Sequence, residues 1–273
     1  TGLSSHELNQ PGTYQDVTDT TVIAQFKAIT QTLPSQLRSF DSVYFLAWTT
    51  TPWTLPSNTA LTVGKKINYV LISTFNQYTF EPVNVILAKD LVSKVFKNSF
   101  IQVDNKLELK FDPKSKNKIP FIIEKSFIGN DLIDVKYEQL WDGAPLPYEN
   151  SQNAFRVIAG DFVTTENGTG IVHTAPTFGA DDAKVAKMAS PEIPPLLIYN
   201  ENQQLVPLVD LQGKFRKELG ELGGKYVKNA YYPEGEAPDK SVDVEIAIRL
   251  KEENKAFKVE KYVHSYPNCW RTD

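Results

Sequence analysis

The sequence predicts an α+β fold with a β-barrel-like core and peripheral helices, and three observations carry that expectation. Short β-branched or aromatic runs, each bounded by turn residues, dominate the first two-thirds of the chain. Apolar residues at helical spacing gather mainly in the last third. The 273 residues suit one large domain, and no internal repeat, low-complexity tract or clear linker divides them.

Residues 21–29, 42–48, 59–63 and 67–75 read as strands, set off by Pro34, Pro56, Gly64-Lys65 and Asn76. Residues 83–88 read as another, followed by a short amphipathic helix near 89–97 with Leu91, Val92, Val95 and Phe96 at helical spacing. Further strands are expected at 100–103, 106–110, 119–124, 154–162 and 170–174. A helix at 180–189 carries Asp181 and Asp182 in its first turn, where carboxylates suit the helix dipole, and the prolines of 191–195 stop it. Helices are also expected at 211–220 and 242–254, and a strand at 257–264. The whole reads as a single domain over 1–273 built on a closed or nearly closed sheet, with insertions near 124–149 and 192–238.

Composition excludes several classes. At 41% hydrophobic and 23% charged residues the chain is neither disordered nor fibrous. No apolar run approaches the roughly 18 residues of a membrane span. Residues Thr1 to Glu7 have neither the basic nor the apolar region of a signal peptide, and the missing initiator Met suggests an excised or processed segment. The single cysteine, Cys269, excludes an internal disulfide and fits a reducing compartment, here the cytoplasm. Three widely spaced His and one Cys make no structural zinc site, and no metal or other cofactor is expected. A net charge of −4 argues against gripping a long polyanion, and Lys65-Lys66 and the lysines of 114–118 read as solvated turns. If nucleic acid is the substrate, this chain touches only a small part of it.

Two stretches look unlike scaffold. Trp48-Thr49-Thr50-Thr51-Pro52-Trp53-Thr54-Leu55-Pro56-Ser57-Asn58 follows a buried-looking strand, and its prolines are expected to hold it extended. It displays four Thr hydroxyls and an Asn amide, unless these merely bond their own backbone, and Trp53 fits a core anchor equally well. Asn167-Gly168-Thr169-Gly170-Ile171-Val172-His173-Thr174-Ala175-Pro176-Thr177-Phe178-Gly179-Ala180-Asp181-Asp182 runs from a tight turn through a strand ending at His173 to a helix opened by two carboxylates. It lacks the Lys and glycine spacing of a phosphate loop. A cap plus a first-turn acid, and a satisfied strand-end histidine, remain the plain alternatives.

Together the two strings resemble the threonine-rich peptide and the second editing signature of the isoleucyl-tRNA synthetase editing domain, the insertion also called connective peptide one. Valyl and leucyl relatives usually show an Arg where Thr51 stands and lack the His at 173. Val263-His264-Ser265-Tyr266-Pro267-Asn268-Cys269-Trp270-Arg271 resembles the stretch where the chain re-enters the synthetase core, so 263–273 is expected to be a re-entry segment. The texture of the chain looks similar to eukaryotic cytosolic members. Neither His-x-Gly-His nor Lys-Met-Ser-Lys-Ser, the ATP-binding signatures of that enzyme class, is present, so the resemblance implies no ligase activity for this stretch.

The resemblance implies hydrolysis of valyl-tRNA(Ile), and of valyl-adenylate as a further substrate, by an oriented water that spares the isoleucyl ester. Its expected partners are the aminoacylated 3′ end of the tRNA and the rest of the parent synthetase, with a monomer as the default. Asp182 matches the acid that pairs with the α-ammonium of the amino acid, leaving Asp181 for the helix cap. His173 matches the residue at the side-chain end of the pocket, as steric gate or as acid/base, and Trp53 and Thr54 wall the valine side or brace the loop. Thr49, Thr50, Thr51 and Asn58 match positions that hold the terminal adenosine and the attacking water, and the backbone of Gly170 to His173, Val172 included, reaches the adenine or ribose. The catalytic set is thus Thr49, Thr50, Asn58, His173 and Asp182, with no covalent nucleophile. The alternatives are editing of another amino acid, a module that binds the aminoacyl-adenosine end without cleaving it, and a structural β-domain.

Overall fold

The computed structural model describes residues 14–267. The expected Cys269 and the rest of 268–273 lie outside the described residues, as do residues 1–13. Strand β1 (Tyr14–Lys27) runs antiparallel to the last strand, β12 (Ala256–Pro267), from the pair Tyr14 and Pro267 to the pair Ala24 and Ala256. Its other edge pairs antiparallel with β2 (Val43–Thr49). Beyond β2 the sheet forks, because one edge of that strand meets two partners in turn. Residues Val43 to Phe45 pair with β5 (Pro82–Ala88), which leads on to β4 (Asn68–Phe75), β7 (Ile119–Ile128) and β6 (Phe100–Gln102). Trp48 pairs instead with Val172 of β9 (Ile171–Thr174), which leads to β3 (Ala60–Val63) and β8 (Arg156–Ala159).

The second branch closes on itself. Residue Lys136 bridges Arg156 of β8, and its neighbour Tyr137 bridges Ala28 just past the end of β1. Backbone bonds from Tyr137 N to Phe155 O and from Glu138 N to Lys27 O, 2.9 and 2.8 Å, tie both sides. The expected closed, barrel-like core is therefore present, and the stretch expected as an insertion at 124–149 supplies its last stave as well as the end of β7.

β2 is buried along nearly its whole length because both of its faces are covered. Period-2 alternation sends Val43, Phe45 and Ala47 into the cluster with Phe26, Leu61, Val157 and Tyr137, and Tyr44 and Leu46 into a second one with Val70, Val85 and Phe257. That second cluster is closed by Val95 of the four-residue helix α1 (Val92–Val95) and by Phe96 behind it, so the helix expected over 89–97 is one short turn preceded by a 3-10 turn. Helix α2 (Ala180–Met188) presses Val185 and Ala186 onto Ile158. The two-stranded sheet β10 (Leu197–Tyr199) and β11 (Leu205–Pro207) lies within 192–238. Helix α3 (Val242–Glu252) is capped by Ser241 and buries Val242, Ile246, Ala247 and Leu250.

Two expected elements differ. The alternating leucines at 107 and 109 mimic a strand, but Asn105 accepts the Leu107 amide at 2.9 Å and winds Lys106–Glu108 into a 3-10 turn with Leu107 exposed. Of the helix expected at 211–220, only its end winds, as the 3-10 turns of Lys217–Leu222, and the first part is a looped hairpin. Asp210 accepts the amides of Gln212 and Lys214, both at 2.9 Å, Gly213 takes φ +79°, and Phe215 folds back on Val209.

Phe26 sits at the closure, fully buried and edge-on to Tyr137 at 5.5 Å between ring centres. Phe26→Ala is expected to lower stability by about 3–5 kcal/mol, read by urea denaturation. A loss under about 1 kcal/mol would mean that the stave is not a packed part of the barrel.

Candidate functional site

The two unusual stretches meet where β2 and β9 run side by side. Leaving β2, the chain does not stay extended as the prolines suggest. Pro52–Ser57 forms 3-10 turns, with Pro52 in the first turn, where its missing amide hydrogen costs nothing. The Trp53 amide donates to the buried carboxylate of Asp243 on α3 at 2.8 Å, which pins this loop to the opposite end of the chain. Lys228, 3.4 Å from Asp243, compensates that charge, while burial still raises the Asp243 pKa. Before β9, Gly168 and Gly170 take φ +75° and +74°. A Cβ on Gly170 would lie 2.4 Å from that of Ala88. Thr169 between them donates to the Leu46 carbonyl at 2.6 Å, and the Tyr69 hydroxyl to that of Gly170 at 2.6 Å, so the turn is bolted to the sheet.

The result is a cavity of about 600 Å³. Thr49, Thr50, Thr51, Trp53, Thr54, Gly170, Val172, His173 and Asp182 all line it, together with Trp48, Phe162 and Phe178. Trp53 packs on Phe178 with ring centres 5.0 Å apart, which makes one wall apolar.

His173 is only 8% exposed and is held at both nitrogens. The Asn58 amide nitrogen donates to the Ala60 carbonyl at 2.9 Å, which fixes which end of that amide is the donor. It also lies 2.8 Å from His173 Nδ1, so Nδ1 accepts. In the neutral ring the proton is then on Nε2, which donates to Thr54 Oγ1 at 3.0 Å, and that hydroxyl in turn donates to the Thr51 carbonyl at 2.9 Å. Behind Asn58, the Tyr137 hydroxyl donates to its Oδ1 at 2.6 Å. Burial pulls the His173 pKa down to about 4, so the ring is neutral at pH 7. Asn58, expected among the groups facing substrate, is not among the residues lining the cavity; it lies behind His173, with both amide hydrogens donated inside the protein and its oxygen accepting from Tyr137.

Thr49, Thr51 and Thr54 bond one another: the Thr51 amide donates to Thr49 Oγ1 at 3.0 Å, and the hydroxyls lie 3.3 and 3.5 Å apart in sequence along the loop. Thr50 lines the cavity with its hydroxyl uncommitted to any described residue. Asp182 accepts the Ala175 amide at 2.8 Å. Its carboxylate folds over Gly179, where a Cβ would come within 2.8 Å of it. Burial raises its pKa, the Ala175 amide opposes that shift and neighbouring Asp181 adds to it. No cation pairs with it among the described residues. Asp181 is exposed and is not the cap, a position held by Gly179. Among the described residues no cluster of His, Cys, Asp and Glu could hold a metal. No described helix is long and apolar enough to cross a membrane. Tyr137 and Asp243 escaped the sequence reading: one sits in irregular chain, the other looks like an ordinary first-turn acid.

The sequence is 55% identical over 284 aligned residues to isoleucine–tRNA ligase of Cytophaga hutchinsonii and 51% identical over 291 to that of Bacteroides fragilis, in each case along 100% of this chain and 24% of the relative. The chain thus spans about a quarter of the length of the curated relatives it matches. These relatives are bacterial and lend no support to the eukaryotic texture. The crystal structure of GlLeuRS-CP1 superposes with a TM-score of 0.51 at 15% identity, over 89% of this chain and 99% of that one, which is a likeness of fold. No protein-family model matches the chain.

The depressed His173 pKa gives folding a pH dependence of definite sign. Between about pH 4 and 6.5 the unfolded chain binds the proton and the folded chain does not, so this group's contribution to stability falls as pH drops through that window. Relative to His173→Gln, the native chain is expected to lose about 3 kcal/mol from pH 7 to pH 4 in urea titrations. Equal slopes for the two proteins would contradict the buried neutral ring. In ¹⁵N spectra the His173 ring is expected to show a single Nε2–H tautomer in the native chain and to lose it in Tyr137→Phe.

Proposed function

We propose that this chain, which belongs to the isoleucine–tRNA ligase family, is the editing unit of such an enzyme and hydrolyses valine from a mischarged tRNA(Ile) end. The observation that carries the reading is Asp182: a half-buried carboxylate with a like-charged neighbour and, among the described residues, no cation of its own, in the lining of a partly apolar cavity. Such a group suits the α-ammonium of an aminoacyl ester, which restores the compensation that burial removed. One of its oxygens is already spent on the Ala175 amide, so the carboxylate is aimed before ligand arrives.

His173 serves here as bulk. Its Nδ1 lone pair is taken by Asn58 and its Nε2 proton by Thr54, so the ring has no free base nitrogen. A clamped ring cannot step aside for an extra methylene. The selection of isoleucine over valine in this enzyme family is the standing reference case for how little one methylene yields, about 1–3 kcal/mol, and it is the reason a second, size-excluding site is useful.

The hydrolysis needs no covalent intermediate. A water oxygen attacks the ester carbonyl carbon, and the carbonyl electrons move onto its oxygen. The C–O bond to the ribose then breaks, and the ribose oxygen takes the proton that the water gives up, with the neighbouring ribose hydroxyl as relay. The Thr50 hydroxyl is free to orient that water or the ribose, while Thr49, Thr51 and Thr54 brace the loop. Neutral donors of this kind stabilise the oxyanion without competing for Asp182. The single domain over 1–273, the 192–238 insertion, the re-entry segment at 263–273, the cytoplasmic setting and the partnership with the rest of the synthetase belong to the same proposal.

Single-turnover deacylation with enzyme in large excess tests it, comparing valyl-tRNA(Ile) with isoleucyl-tRNA(Ile). Valine is expected to be released and isoleucine retained, with Asp182→Ala slowing valine release about 10–100-fold. The valine rate is expected to show no break near pH 6.5. Release of neither amino acid would leave a binding module, and equal release of both would remove the steric role of His173.

A further inference from the structure

A second depression of about 230 Å³ adjoins the cavity and shares Trp48, Asn167 and Gly168 with it. Its outer wall is basic. Lys94 of α1 and Lys97 just beyond it line it together with Lys258 and Lys261 of β12, and Glu260 is the acid among its lining residues. This runs against the chain as a whole, in which 33 acidic residues outnumber 29 basic ones. The lysines are also partly ordered: Lys94 Nζ donates to the Glu166 carbonyl at 2.6 Å and Lys261 Nζ to Thr20 Oγ1 at 2.9 Å. Lys258 is paired with Glu260 at 2.9 Å, which leaves the other three as net positive charge. Aromatic surface lies beside them, with Tyr262 edge-on to Trp48 at 5.9 Å between ring centres. At Gly168 a Cβ would approach the Trp48 ring to 3.2 Å, so a bare backbone keeps the passage between the two depressions narrow but open.

Positive charge along a groove, with an aromatic face at its end, is the arrangement by which proteins follow a single nucleic-acid strand without reading its bases. We infer that the groove holds the phosphodiester backbone of the RNA strand whose terminal nucleoside enters the main cavity, passing over Gly168 and Trp48. The inference rests on the editing reading and adds the route by which the substrate reaches the site.

The test compares two esters of valine, one on intact tRNA(Ile) and one on adenosine, which has no phosphate. The double variant Lys97→Gln/Lys261→Gln removes two exposed charges, and Lys114→Gln/Lys116→Gln, on a distant turn, is the control. For the tRNA ester, the slope of log(kcat/KM) against log(salt) is expected to flatten by about 1.4, at roughly 0.7 for each charge on a single strand. That corresponds to a loss on the order of tenfold or more at 0.1 M salt, while the adenosine ester is cleaved as before. An unchanged slope, an equal loss with the control pair, or an equal loss on the adenosine ester would overturn the groove alone. A native chain that cleaves neither ester would overturn the editing reading and the groove with it.

Discussion

Burying an imidazole strips it of charge and leaves two ring nitrogens that each need a partner, and the site is organised around supplying both to His173. Asn58 gives a donor to Nδ1, Thr54 takes the proton from Nε2, and neither group is free to do this alone. Asn58 is oriented by the Ala60 carbonyl and the Tyr137 hydroxyl, and Thr54 by the Thr51 carbonyl. The chain of bonds runs from inside the barrel to the loop that lines the cavity. With the Asn58 amide donating to Nδ1 and the Thr54 hydroxyl turned to the Thr51 carbonyl, the neutral ring carries its proton on Nε2.

The fold can be understood as what brings those partners together. Thr54 and Asn58 follow β2, His173 lies within β9, and the single pairing of Trp48 with Val172 sets the two side by side. Tyr137 arrives only because the stave at 134–138 closes the ring between β8 and β1. Asp243, far along the chain on α3, holds the Trp53 amide and stops the threonine loop from lifting away. On the other side of the cavity Gly179 leaves room for Asp182 to fold back onto the Ala175 amide. These bonds hold the threonine loop, the ring of His173 and the Asp182 carboxylate around one cavity, with Thr50 and the Gly168 turn also in its lining.

Much of this was legible in the sequence. Strands announced themselves by β-branched runs between turn residues, and the two stretches singled out contain all of the residues lining the cavity except Phe162 and Thr164. What stayed hidden depends on contacts between distant residues. Nothing near Tyr137 or Asp243 marks them, because their importance lies in what the closed barrel places against them. Local chemistry also misled in places. The prolines at 52 and 56 suggest extended chain, yet proline suits a first 3-10 turn equally well. Alternation at Leu107 and Leu109 mimics a strand, but the Asn105 side chain offers a competing hydrogen bond. The family resemblance puts Asn58 with the groups that hold the terminal adenosine, whereas both of its amide hydrogens are donated inside the protein and its oxygen accepts from Tyr137.

The proposed use of a clamped, neutral His173 as bulk makes one demand on equilibrium binding that needs no turnover. Non-hydrolysable valyl-adenosine and isoleucyl-adenosine analogues, titrated into the native chain by calorimetry at pH 7, would report the gate directly. The valyl analogue is expected to bind at least tenfold more tightly, with the preference lost in His173→Ala. Equal affinities in the native chain would contradict the gate, however well the surrounding hydrogen bonds hold the ring.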